Sequence, residues 1–189
     1  MPTIKQTTSD GRYDIPAGTH LGYCTMIVDL GTQPSMNPKY PDPKRKVKLA
    51  FEIPWETYKW DDWEDRPKII YSEYTLSTSD RAIFRPVSEA LDKWTPTDDD
   101  YYLIDFNKLV GSPCSLTVVK NGEYSNITQV AWLPKWVQLA PMVNTTLTLD
   151  LDKFDKKVFD GLGEKMKEKI MSSPEYQEAI NKNEEDEKF

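Results

Sequence analysis

Histidine is nearly missing from this chain: His20 is the sole one in 189 residues. Its isolation excludes a zinc site built on several histidines and argues against catalysis centred on an imidazole. Cysteine is almost as scarce. Cys24 and Cys114 stand far apart and lack the paired spacing of metal ligands. Both fall in strand-like runs, so a disulfide between them stays open, while two buried thiols in a reducing cytoplasm are the expected state. No apolar run nears the ~18–20 residues that a membrane-crossing helix needs. The opening residues, MPTIKQTTSDGRYD, lack the hydrophobic stretch of a signal peptide. Glycine-rich phosphate loops, nucleophile–base pairings and internal repeats are also missing. The expectation is a cytoplasmic protein that is not an enzyme and carries no cofactor or metal.

What is present suits strands and loops. Fourteen prolines punctuate the chain, and 38% hydrophobic residues suffice to bury a core. Residues 16–33, PAGTHLGYCTMIVDLGTQ, read as a first strand that alternates at its start and becomes apolar on both faces near Met26, Ile27 and Val28. Gly22 is placed to bend it or to carry a bulge. A proline-rich loop follows, and residues 46–53, KVKLAFEI, alternate cleanly. Val47, Leu49, Phe51 and Ile53 turn inward there, and Lys46, Lys48 and Glu52 outward. Pro54 is expected to end this second strand. Residues 55–66 then form a loop rich in aromatics and acids, and residues 68–77 a third strand.

The period changes after that. Ile83, Val87, Ala90, Leu91 and Trp94 fall on one helix face, with Ser79 or Asp80 as cap and Pro86 as a point of kinking. A short second helix fits residues 105–110. Residues 115–119 and 124–132 read as a hairpin around Asn121 and Gly122. Five strands with a helix between the third and fourth give the fold class: mainly β, an OB-fold-like Greek-key barrel. Residues 1–14 are expected to be flexible, 15–134 to form the barrel, and 135–153 a linker over it. Residues 154–182 form a helical extension, with Val158, Leu162, Met166 and Ile170 on one face and a fresh start at Ser173 and Pro174. Residues 183–189 form a disordered acidic tail.

The blocks PAGTHLGYCTMIVDLGTQ, KVKLAFEIPWE, YTLS, YSNI and EKIMSSPEY, in this order, resemble a family of bacteriophage single-stranded DNA-binding proteins. The resemblance spans roughly residues 16–176. It departs at Pro86, and the 55–66 loop is individual to this chain. It implies sequence-independent binding of single-stranded DNA in phage replication or recombination, inside the infected host cell. The alternative is an adaptor module that contacts other phage proteins and binds nucleic acid weakly or not at all.

Binding of this kind needs cations along the phosphates and aromatic faces for the bases. The net charge of −7 does not forbid it. Residues 175–189 hold six acids and two lysines and so account for −4, leaving −3 for the rest. Lys39, Lys44, Arg45, Lys46 and Lys48 cluster against Asp42 alone. With Arg81, Arg85 and Lys120 they are the expected phosphate contacts, and Tyr71 and Tyr124 the expected stacking platforms. For each lysine the competing reading is a solvated strand edge, and for each tyrosine a place in the core. Trp55, Tyr58, Trp60 and Trp63 are ringed by Glu56, Asp61, Asp62, Glu64 and Asp65, so packing or a protein contact outranks base stacking there. Asp98, Asp99 and Asp100 read as a solvated turn. In the tail, Glu184, Glu185, Asp186, Glu187 and Phe189 resemble the acidic, phenylalanine-ended tails of other single-stranded DNA-binding proteins. That likeness implies recruitment of replication or recombination proteins of phage or host. A homodimer remains open.

Overall fold

The computed structural model describes residues 13–60, 64–77, 79, 81–91 and 104–186. Strand β1 (Gly18–Gln33) is its spine. The first part of β1 pairs antiparallel with β4 (Pro113–Asn121), from Gly18 opposite Val118 to Tyr23 opposite Pro113. From Tyr23 onward β1 pairs with β2 (Lys44–Lys59), ending with Gln33 opposite Lys44. The flank that β4 vacates is taken by β6 (Leu147–Leu149), parallel to Met26–Val28. β2 continues into β3 (Asp65–Thr75), and β4 into β5 (Tyr124–Trp132). Among the described residues these form one six-stranded sheet in the order β3-β2-β1-β4-β5, with β6 beside β1. β3 and β5 approach each other at its two ends without a ladder of hydrogen bonds.

Two bulges bend β1, one between Cys24 and Met26 and one between Asp29 and Gly31. Gly22 is not one of them. A Cβ there would overlap the Glu52 carbonyl oxygen of β2, so the glycine permits close approach of two backbones instead. Gly31 lies at the second bulge with φ +67°, left-handed backbone that favours glycine.

Neighbouring residues on a strand face opposite ways, and β1 is buried on both sides. Ile27 joins Val47, Leu49, Phe51, Leu116 and Val130 in the main core, which α1 (Phe84–Leu91) covers with Phe84, Val87 and Leu91. Val28 and Leu30 point the other way, into a second core with Leu149, Leu151, Phe159, Leu162 and Ile170. That core belongs to the C-terminal helices α3 (Lys156–Asp160), α4 (Glu164–Met171) and α5 (Pro174–Asp186), preceded by a short 3-10 turn over Leu151–Lys153.

Several expectations are corrected. β2 does not stop at Pro54. It runs on to Lys59 with a register irregularity between Ile53 and Thr57, which accommodates a residue lacking an N–H. Much of the expected 55–66 loop is therefore a two-stranded ribbon. The first helix begins at Phe84, which places Pro86 in the first turn, where its missing N–H breaks no helical bond. Ile83, 74% exposed, yields its core place to Phe84; Asp80 and Trp94 lie outside the described residues. The hairpin turn is Gly122–Glu123, since Asn121 already pairs with Tyr124. Gly161 and Gly163 divide the expected amphipathic helix into α3 and α4. A short helix α2 (Phe106–Leu109) does start at Asp105, whose carboxylate accepts from the Asn107 amide. α5 starts behind Ser173, whose hydroxyl accepts from Tyr176 N at 3.3 Å.

The linker holds more structure than expected. Besides forming β6, it lies across the outer face of β1 and β2. The Tyr23 hydroxyl donates to Ala140 O at 3.1 Å. Glu52, outward as read but fully buried beneath this segment, accepts from Val143 N, Asn144 N and Asn144 Nδ2 at 2.6–2.8 Å. Residues 13 and 14, at the edge of the expected flexible N-terminus, are tied down. Asp14 pairs with Lys120 and gives its carbonyl to Lys68 Nζ, and Ile15 is buried. Cys24 and Cys114 are buried and unbridged, and burial pushes the Cys24 thiol up to about 12.

Candidate nucleic-acid interface

The outer face of β2 and β3 carries its side chains in register. Lys46 lies opposite Thr75, Lys48 opposite Glu73, and Ala50 opposite Tyr71. Alternation along β2 therefore sets Lys44, Lys46 and Lys48 in one row. Lys46 Nζ donates to Thr75 Oγ1 at 2.8 Å. Lys44 Nζ stands 5.7 Å from the centroid of the exposed Tyr40 ring. Lys48 Nζ sits 5.4 Å from the Tyr71 ring centroid, which joins the lysine row to the aromatic side of the site.

That aromatic side is the opening between β3 and β5. Tyr71 from β3 and Tyr124 from β5 line one cleft of about 380 Å³, together with Tyr13, Asp14, Ile69 and Glu123. The rings of Tyr13 and Tyr71 lie 5.9 Å apart at 57°. Tyr71 is 39% exposed and Tyr124 78%, so neither is a core residue. Two tyrosines separated by fifty-odd positions in sequence thus meet because the sheet curls its two ends together.

The other expected cations divide. Arg81 lines a hollow with Lys44, Lys46 and Glu73. Lys39 is exposed in the loop after β1. Arg45 does not belong to the site. Its guanidinium is bound by the fully buried Asp29 and, at 3.0 Å, by Asp152, so it fastens the C-terminal segment to the sheet. Burial opposes its charge, but the hydrogen bonds it donates to Asp29 raise its pKa above the ordinary value. Arg85 pairs with Glu89 at 3.0 Å on α1. Lys120 is engaged by Asp14, whose carboxyl its hydrogen bond holds below the usual range.

Two cations on α4 belong to the same surface and were not anticipated. Lys169 Nζ reaches both oxygens of Glu73, at 2.7 and 3.0 Å, and Lys165 lines a hollow with Lys48 and Lys169. In sequence they look like the solvated side of an amphipathic helix; only the docking of α4 against β1, from which Lys169 reaches Glu73 on β3, brings them to this surface. On the β2–β3 ribbon Trp55 is exposed, Trp60 stacks with the Arg66 guanidinium 4.4 Å from its ring centroid, and Tyr58 meets Trp60 edge-on. Trp63, Asp61 and Asp62, like Asp98–Asp100 as a set, lie outside the described residues. Helix α5 extends through Asp186, so residues 183–186 are helical where disorder was expected; Glu187 and Phe189 lie outside the described residues.

Among the described residues no three His, Cys, Asp or Glu side chains gather as a metal site, and no helix is long and apolar enough to cross a membrane. Comparison with protein-family models, with curated proteins and with solved structures gives no match.

Proposed function

We propose that this protein binds single-stranded DNA without regard to sequence, through an OB-fold barrel. The carrying observation is the junction at Lys48, where a row of strand lysines meets a tyrosine-lined cleft through an ammonium held over the Tyr71 ring. Phosphates would follow Lys44, Lys46 and Lys48, and bases would stack on Tyr71 and Tyr124, the combination that sequence-tolerant binding uses. The strand order supports the barrel reading. β1 pairs with both β2 and β4, β3 and β5 close on each other, and α1 stands between β3 and β4. Replication or recombination of phage DNA is the setting the sequence resemblance suggests, with the acidic C-terminal end recruiting partner proteins. No catalytic role is assigned.

A second reading, an adaptor that contacts proteins, has its own support in the exposure of Trp55 on the ribbon and of Trp136 (82% exposed) after β5. Exposed aromatics of this size are enriched at protein contacts. Fluorescence anisotropy of labelled oligo-dT, titrated with the protein at two salt concentrations, separates the two. Tight binding that weakens with salt and ignores base composition is expected. Absence of binding below ~100 μM, the range of non-specific association, overturns the proposal in favour of the adaptor.

A further inference from the structure

Three hollows on the outer face share their lining residues and so run into one another. The first, about 550 Å³, lies between α4 and the sheet and includes Lys48, Lys165 and Lys169. The second, about 660 Å³, includes Lys169, Lys46 and Lys44. The third, about 430 Å³, includes Lys44, Lys46 and Arg81. Among the described residues they present six cations against two carboxylates, Glu164 and Glu73. Glu164 is met by Lys167 on its own helix, at 3.1 Å. Glu73 is placed otherwise. It sits where the hollows join, held by Lys169 at 2.7 Å, with Lys48 Nζ 3.9 Å away and Lys46 lining the same space.

Resting on the single-stranded DNA reading above, we propose that the phosphate backbone follows this track, with helix α4 as its second wall. Lys165 and Lys169 contact phosphate there, and Glu73 is the resident anion that a phosphate displaces. The arrangement has a physical logic. A row of like charges with no counter-ion repels itself, and one carboxylate at its centre relieves that repulsion in the free protein. A phosphate offers the same lysines a full charge and more acceptor oxygens, while a carboxylate fixed on a strand cannot leave the site and continues to oppose the incoming chain. Binding strength is therefore set partly by Glu73. The C-terminal helices, which the sequence presents as an appendage, become part of the binding surface. An acidic protein segment would also fit a cationic track, but the tyrosine cleft that Lys48 adjoins favours a ligand with flat bases.

The test uses the full chain and labelled oligo-dT. Lys165, exposed on α4, is changed to Glu, and Glu73 to Gln; melting curves check that both variants fold. Lys165→Glu should reduce the slope of log K against log salt by about 0.7, the value of one phosphate contact on a single strand. Over a fourfold range of salt that slope corresponds to roughly a 2.6-fold smaller loss of affinity. Glu73→Gln should bind more tightly than wild type at low salt, with the difference fading as salt rises. If wild type binds and Lys165→Glu keeps its affinity and slope, the track does not extend onto α4 and the inference is overturned while the DNA reading stands. If Glu73→Gln binds no better, Glu73 is not the displaced anion and that part fails. Failure of wild type itself to bind overturns the DNA reading. Polyglutamate binding that responds to Lys165→Glu, with no response from oligo-dT, would assign the track to an acidic protein partner instead.

Discussion

Gly22 stands where β1 and β2 approach so closely that a methyl group would meet the Glu52 carbonyl oxygen. Neither strand can yield without disturbing the Tyr23–Glu52 pair and the linker bonds that bury Glu52. Gly22→Ala should therefore cost about 1–3 kcal/mol, the usual range for overpacking, read as a lower melting temperature. Gly163, with open space around its Cβ position at the start of α4, is the control: Gly163→Ser should not destabilise, because serine caps a helix at least as well. Arg45 and Lys44 make a second contrast between neighbours. Arg45→Ala strands the buried Asp29 carboxylate and should cost about 3–5 kcal/mol of stability, whereas Lys44→Ala, on the exposed side, should leave the melting temperature unchanged. For binding the order reverses, and only Lys44 should matter directly. At the cleft, Tyr124→Ala should remove about 1–3 kcal/mol of DNA affinity for a stacked base with no loss of folding, since its ring is largely exposed. Equal affinity in that variant would mean that no base stacks there.

The joint between α5 and β1 is made by Glu175, whose two oxygens accept from Thr32 N at 2.7 Å and Thr32 Oγ1 at 2.6 Å. Burial alone would raise the Glu175 carboxyl, but the Thr32 hydrogen bonds outweigh it and hold it below its ordinary value. A carboxyl depressed by folding adds stability above its unfolded value, near pH 4.5, and loses that contribution as pH falls through the folded value. Wild type should therefore lose more stability on acidification below about pH 5 than Glu175→Gln does, as followed by melting temperature against pH. Asp150 is shifted the opposite way by burial, but it is present in both proteins and cancels from the comparison. At this scale the sequence is readable where one element satisfies its own period. KVKLAFEI alternates, and so it is a strand; Ser173 followed by Pro174 starts a helix. It misleads where a neighbour decides. Phe84 rather than Ile83 enters the core, packing against Tyr74 of β3 in a way local spacing does not encode, and β2 outlasts Pro54 because β3 continues beside it.

At the scale of the molecule, β1 separates two cores that share no side chain among the described residues: Ile27 lies in one, Val28 and Leu30 in the other. Ile170→Ala, at a fully buried position of the second core, should cost about 2–5 kcal/mol there and lower hydrogen-exchange protection in α4 and α5 while β4 and β5 keep theirs. Uniform loss of protection would mean the two cores unfold as one unit. The doubly apolar middle of β1 already signals in sequence that something covers its outer face. What covers it is not legible, because β6 reaches β1 over more than a hundred residues of chain. The same distance hides Lys165 and Lys169, whereas the row on β2 and the two tyrosines lie on strands whose faces alternation predicts.

The parallel pairing of β6 with the middle of β1 also sets an order of events during synthesis. Met26–Val28 leaves the ribosome long before Leu147–Leu149 does, and its antiparallel partner β2 follows almost at once. For the time needed to translate the intervening chain, the nascent sheet presents Val28 and Leu30 on an uncovered strip beside an unpaired strand edge. Such a strip is what holdase chaperones recognise and what misassociation exploits. The interval ends only when the final helices close over it.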